Sequence, residues 1–240
     1  MRRFLRRAQY AIGHYPVLLP ILVRLTPEGT AKSITARTEL VIEGFPRSGN
    51  TFAVFALRQA NGGYLRVPSH VHQPAQVKRA VRRGLPTVVV VREPVEALAS
   101  NLVVSRHVGP SEILREYIRY HRELVPLLGH VVVAAFEEIV TGSGSVVDRV
   151  NRRFDTSFRA FSHAPDDVEA VFAAIERRHG DVYGSGRLER LVPRPAPDRA
   201  EEKEWFVRQL TAPELSPLLA EARALHERFL AARAMLAGPG

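Results

Sequence analysis

The sequence has no cysteine among its 240 residues. That excludes a disulfide framework and thiolate metal sites, and it fits a reducing compartment. It has no internal repeat and no low-complexity tract. It also lacks an unbroken apolar run of the roughly 20 residues that a membrane-spanning helix needs. The nearest approach, residues 8–23, is interrupted by His14, Pro16 and Pro20. Arg2, Arg3, Arg6 and Arg7 precede that stretch as they would in a signal peptide, yet no small-x-small cleavage site follows at Leu25-Thr26-Pro27-Glu28. Residues 1–36 are first read as a basic, apolar helical segment packed on the rest of the chain. A helix lying on an anionic membrane surface is the second reading, and export the third.

Acidic residues are also in deficit: 25 Asp and Glu stand against 34 Lys and Arg, a formal charge of +9. Such a balance suggests an anionic partner, whether a phosphorylated small molecule, nucleic acid or a membrane surface. The arginines are spread along the chain and not gathered in one tract, so nucleic acid is not the expected partner. Hydrophobic residues make up 45% and charged residues 25%, which supports one sizeable core and leaves little for a second. Residues 37–240 are read as a single domain.

Along the chain, residues 39–45 form an apolar strand closed by a Gly/Pro/Ser loop, and a helix over 51–60 stops at Asn61-Gly62-Gly63. A short strand is expected over 64–67 and a basic helix over 73–83. Residues 87–92 are a continuous β-branched run, the mark of a strand buried on both faces of a parallel sheet. Pro94 opens the next helix at its first turn. A helix over 111–128 and a buried strand over 130–136 follow. Further helices are expected over 146–154, 166–178 and 213–236. The Gly-, Pro- and Arg-rich residues 183–200 are a linker or a loop that closes over something. Strands alternating with helices predict an α/β fold: a three-layer domain with a central parallel β-sheet, a phosphate-binding loop and a helical C-terminal portion.

The loop is Gly44-Phe-Pro-Arg-Ser-Gly-Asn-Thr51, with the G-x-x-x-x-G-x-[ST] skeleton of a phosphate loop set between a strand and a helix. Backbone N–H groups in a tight loop and a helix N-terminus make an anion cradle. A nucleotide-hydrolysing loop carries Lys just before its Ser/Thr, where this chain has Asn50; the basic residue is Arg47. The second strand ends in Arg92, where such enzymes place an Asp that helps hold Mg²⁺. The pattern suits an anion better than a Mg-nucleoside triphosphate. Arg92-Glu-Pro-Val-Glu-Ala-Leu-Ala-Ser100 adds an Arg at the carboxyl edge of the sheet, where open α/β sheets bind ligands. Its Ser lies two turns into the next helix, and Arg and Ser together suit a phosphate.

Pro46-Arg-Ser-Gly-Asn-Thr-Phe52 resembles the 5′-phosphosulfate loop of the sulfotransferases that use 3′-phosphoadenosine 5′-phosphosulfate (PAPS), commonly Pro-Lys-Ser-Gly-Thr-Thr-Trp. It matches at Pro46, Ser48, Gly49 and Thr51, conservatively at Arg47 and Phe52, and departs at Asn50. Arg92 and Ser100 are similar to that family's 3′-phosphate element in type, order and spacing. The resemblance covers residues 39 to 140 with specific motifs and the rest loosely. It implies that Arg47 contacts the bridging region of the phosphosulfate and that Ser48, Gly49, Asn50 and Thr51 hold its 5′ side. Phe52 would stack on adenine, and Arg92 and Ser100 would take the 3′-phosphate. No metal is implied.

In Pro68-Ser-His-Val-His-Gln-Pro74, His72 with Pro74 is similar to the family's Lys-x-His-x-Pro segment, with His70 at the Lys position. By that likeness His72 is the general base and His70 orients it or stabilises developing negative charge. The pair also reads as two surface histidines or two metal ligands, although no nearby Asp, Glu or Cys completes a coordination set. Transfer would be in-line: the acceptor attacks sulfur, His72 takes its proton, and Arg47 stabilises charge on the departing phosphate oxygen. Neither the family's late Arg-Lys-Gly loop nor the Lys-rich dimer motif of its cytosolic branch is present, so oligomeric state stays open. Arg194, in Leu191-Val-Pro-Arg-Pro-Ala-Pro-Asp-Arg199, is the candidate to complete the 3′-phosphate site, with Arg187 and Arg190 also in view.

The expected activity is sulfuryl transfer from PAPS to a hydroxyl or amine, leaving 3′-phosphoadenosine 5′-phosphate. The acceptor would be a small molecule, a glycan or a lipid-linked compound, and the setting cytoplasmic, with peripheral membrane contact through the N-terminus. A phosphate-loop kinase or NTPase, and a non-catalytic basic nucleotide-binding module, are the other readings.

Overall fold

The computed structural model describes residues 32–183 and 199–237. Most of the basic N-terminal segment therefore lies outside the described residues, as do Arg187, Arg190, Arg194 and most of the loop over 183–200. The chain is α/β, a small parallel sheet within a mostly helical body. Strands β1 (Val41–Gly44), β2 (Thr87–Val91) and β3 (Val132–Ala135) lie in the order β1-β2-β3, with Gly44 opposite Val90 and Val91 opposite Ala135. Every residue of β2 is buried, so its run of valines needs no polar face; that is the signature read in the sequence.

Alternate residues of the sheet feed two cores. Val89, Val91 and Val133 pack with α3 (Pro94–Val104), α4 (Pro110–Leu124), α8 (Ala200–Leu210) and α9 (Ser216–Ala237). Ile42, Val88, Val90, Val132 and Ala134 pack with α1 (Asn50–Ala60), α6 (Gly144–Phe154) and α7 (Pro165–Tyr183). Between these run α2 (Pro74–Arg82) and the six-residue α5 (Phe136–Thr141). Since the strands are parallel, the chain leaves Gly44, Val91 and Ala135 at one edge of the sheet, and the loops behind all three meet there.

Residues 64–67 are not a strand. Arg58 on α1 donates from Nε to the Leu65 carbonyl (3.1 Å) and from Nη2 to the Val67 carbonyl (3.3 Å). These are alternate carbonyls, the pair a neighbouring strand would engage. The expected helix over 111–128 ends at Leu124 and tightens into a 3₁₀ segment, Val125–His130. Pro126 has no N–H to give, so the α-helical bond to the Arg122 carbonyl cannot form there.

Gly44 closes β1 where the sheet leaves no room: a Cβ there would lie 2.4 Å from the Val90 carbonyl oxygen and 2.8 Å from Asn50 Oδ1. Gly44→Ala is expected to destabilise the fold by about 1–3 kcal/mol, the usual range for overpacking. An unchanged midpoint in urea would contradict this.

His121 on α4 is fully buried. Its Nδ1–H donates to the Tyr117 carbonyl (2.9 Å), its ring lies 3.9 Å from that of Tyr117, and Nε2 has no partner among the described residues. Burial pushes its pKa down to about 3, from an ordinary 6.5, with His226 adding to the effect. The unfolded chain therefore binds a proton that the native state refuses. Stability should fall as the pH drops below about 6.5, at about 1.4 kcal/mol per unit at the steepest. His121→Leu should make the acid limb of Tm against pH shallower; an identical limb would assign the loss to other groups.

Candidate functional site

The β1–α1 connection wraps back on itself. Arg47 has φ 71° and Gly49 φ 91°, both left-handed, and the Ser48 N–H bonds to the Phe45 carbonyl at 3.2 Å. Gly49 is needed for a second reason: its Cβ would meet the Phe136 ring at 3.0 Å. Arg92, leaving β2, anchors the loop. Its Nη1 donates to the Arg47 carbonyl (2.9 Å), its Nη2 reaches Glu96 (3.3 Å), and its guanidinium lies over Phe136 at 4.0 Å. Arg47 Nε in turn donates to Ser100 Oγ at 3.0 Å. Residues 53 apart are thus in direct contact, which brings the two motifs together.

Among the described residues, three buried polar atoms of this loop and its anchor have no partner: Ser48 Oγ, Asn50 Oδ1 and Arg92 Nε. Ser48 is fully buried. Leaving such an atom unbonded costs about 1–3 kcal/mol. The site also concentrates positive charge. Burial, Arg199 and Arg92 push the Arg47 pKa down to about 10. Arg199, just before α8, is a residue the sequence reading passed over in favour of Arg194. The only hint of it was its place at the end of the Pro-rich segment, next to a helix start.

Glu96 balances part of this charge, accepting from Arg92 and from Lys203 on α8 (2.6 Å). A carbonyl at the strand end is also fixed: the Arg92 carbonyl accepts from Tyr117 Oη at 3.0 Å.

The histidine segment lies against the other side of the loop. His72 Nδ1–H donates to the Gly44 carbonyl at 2.8 Å. A carbonyl only accepts, so Nδ1 carries the proton and Nε2 the lone pair. Burial first, then Lys32 and Arg47, push the His72 pKa down to about 4, against the opposing Gly44 bond. The ring is neutral at physiological pH. His70 is spent differently: Nε2 pairs with Thr51 Oγ1 (2.7 Å) and Nδ1 with Ser69 Oγ, so both nitrogens are engaged. Its pKa is held well below the ordinary value by burial, with His72 next.

Three of the expected ligand contacts are engaged elsewhere. Asn50 is buried and turns its amide inward, Nδ2 lying 3.2 Å from the Gly44 carbonyl and 3.5 Å from that of Phe45; the side chain braces the loop. The Thr51 hydroxyl holds His70. Phe52 is not placed to stack on a base, because it is buried against Phe161, His163 and Phe172, with centroids 5.6–6.0 Å apart. An aromatic at the start of an amphipathic helix serves the core as readily as a ligand, and here the apolar face of α1 claims it.

Sequence reasoning also missed Glu43, a fully buried carboxylate on β1. A lone acid inside Leu40-Val-Ile-Glu-Gly44 was the available signal. Among the described residues no group of three His, Cys, Asp or Glu side chains is placed to hold a metal ion, and no helix is long and apolar enough to cross a membrane. A cavity of about 480 Å³ lies at the opposite edge of the sheet, lined in part by Leu85, His130, Arg149 and Arg152. Arg149 there is bound to Glu138 and the Val133 carbonyl, and the basic residues ending α6 oppose its dipole. Comparison with family models, curated proteins and solved structures gives no match for this chain.

Proposed function

We propose that this protein is a sulfotransferase that takes the sulfuryl group of PAPS to a hydroxyl or amine acceptor. The observation that carries this reading is the union, in one site, of Arg47, Arg92, Ser100 and Arg199 with a neutral histidine whose lone pair is on Nε2. The buried, unpartnered Ser48 Oγ and Arg92 Nε suit a phosphorylated ligand: an incoming oxyanion would give each a partner.

In this reading Arg47 and the loop hold the 5′ side of PAPS, and Arg92, Ser100 and Arg199 hold its 3′-phosphate. Bound there, PAPS supplies an activated sulfuryl group. Arg47, fixed by Ser100, presents a preorganised positive charge where negative charge gathers. His72 accepts the acceptor's proton at Nε2 while the Gly44 carbonyl keeps the opposite ring nitrogen protonated. His70 orients the segment through Thr51. The missing loop lysine at position 50 and Arg92 at the strand end weigh against the phosphate-loop kinase reading.

Calorimetric titration with 3′-phosphoadenosine 5′-phosphate is the test, with ATP plus Mg²⁺ in parallel. The bisphosphate should bind without regard to Mg²⁺. Arg92→Ala should weaken it about 10- to 100-fold, the equivalent of one hydrogen bond to a charged group. Preference for Mg-ATP, or no binding of either nucleotide, would overturn the reading.

A further inference from the structure

Residues 68–73 have no regular secondary structure, yet they hold His70 at φ 64° and His72 at φ 53°. Non-glycine residues seldom adopt that region unless their surroundings enforce it. The enforcement comes from β1. Glu43 accepts the Val71 N–H on Oε1 (3.0 Å) and the His72 N–H on Oε2 (3.1 Å). Two successive N–H groups converging on one anion form a nest, here filled by the protein's own carboxylate. The next residue of the strand, Gly44, takes the His72 ring through its carbonyl. Adjacent strand residues thus fix the backbone and the ring of one histidine.

We infer that Glu43 is a positioning residue, whose carboxylate clamps the histidine segment and so sets where His72 Nε2 is presented. The inference rests on the reading of His72 as the base. A strand carboxylate with no exposure serves no solubility purpose, and its pairing partner across the sheet is Val89. Both of its oxygens are spent on this one segment. Desolvation raises the Glu43 pKa to about 8, against the Val71 and His72 N–H groups and Lys32, which lower it. Lys32 is the charge that acts on it, and the segment it holds carries His70 and His72. On α2, which packs on β1, the charged residues are Lys78, paired with Glu123, and Arg79 and Arg82. Protonation turns one Glu43 oxygen into a hydroxyl, a weaker acceptor, so the N–H bond it takes weakens and the clamp loosens.

The test is NMR of the unliganded protein, wild type and Glu43→Gln. In the wild type, the Val71 and His72 backbone amides should titrate together, with one midpoint above the usual carboxylate range. The His72 ring should show only the Nδ1–H tautomer. In Glu43→Gln the shared titration should vanish and both ring tautomers should appear. Sulfuryl transfer should fall about 10- to 100-fold, the scale on which support behind a functional side chain acts, while affinity for 3′-phosphoadenosine 5′-phosphate stays at the wild-type level. Amides that do not titrate together in the wild type, or a Glu43→Gln protein with the wild-type tautomer and rate, would overturn the inference. If Glu43→Gln fails to fold, the wild-type titration decides alone. Failure of the bisphosphate to bind the wild type would instead sink the sulfotransferase reading, a result the amide titration does not depend on.

Discussion

His72→Ala should lower the rate of sulfuryl transfer about 10²- to 10⁴-fold, the range that general acid–base catalysis supplies. The measurement uses whichever of a phenol, an alcohol and an amine wild type turns over fastest. Affinity for 3′-phosphoadenosine 5′-phosphate should not change, because the His72 ring bonds to Gly44 and not to the arginines. The sign of the pH dependence follows from burial. With the pKa pushed down to about 4, the ring stays unprotonated through the neutral range. The ring therefore adds no limb near pH 6.5, where an ordinary imidazole titrates; its own limb should lie near 4. That limb lies below a first decline near 8, where Glu43 takes up a proton and its clamp on the segment loosens. A rate that survives His72→Ala, or a limb at the ordinary histidine position, would move the base elsewhere.

Arg47→Ala should have an effect of similar size, about 10²- to 10³-fold, the cost of removing one preorganised donor from a site of developing charge. Two contrasts separate this from a loss of structure. The carbonyl that Arg92 grips belongs to the Arg47 backbone, so the substitution leaves that anchor in place. Arg47→Lys keeps the charge but gives up the planar fork that reaches Ser100, and should recover only part of the rate. Full recovery with Lys would show that charge alone matters. No loss in either variant would remove Arg47 from the reacting centre.

The sheet was legible because its signal is strong and local: Thr87-Val-Val-Val-Val91 has no polar side to offer, so it becomes the central strand. The tight connection from β1 to α1 was legible because Gly44 and Gly49 occupy positions that exclude any side chain, one by contact and the other by φ as well. The contact between Arg47 and Ser100 was not anticipated: family likeness put the two on different parts of one ligand, and nothing local in the sequence links residues so far apart. What escaped depended on tertiary competition. Arg58 took the carbonyls that would have made 64–67 a strand. The apolar face of α1 took Phe52, and α5 follows β3 in a single short turn with too few residues for a period to register. Glu43 was visible as an anomaly, but its partners lie 28 and 29 residues away.

The sharing of Glu96 between Arg92 and Lys203 bears on how substitutions here combine. One carboxylate neutralises two cations from distant parts of the chain, so neither pair is an independent unit. Removing Lys203 leaves Glu96 wholly to Arg92 and strengthens its hold on a guanidinium that the ligand must share. Removing Glu96 instead sets two like charges against each other. The effects of Arg92 and Lys203 substitutions should therefore not add, and a double-mutant cycle between a strand end and a C-terminal helix would return a coupling energy of about 0.5–3 kcal/mol.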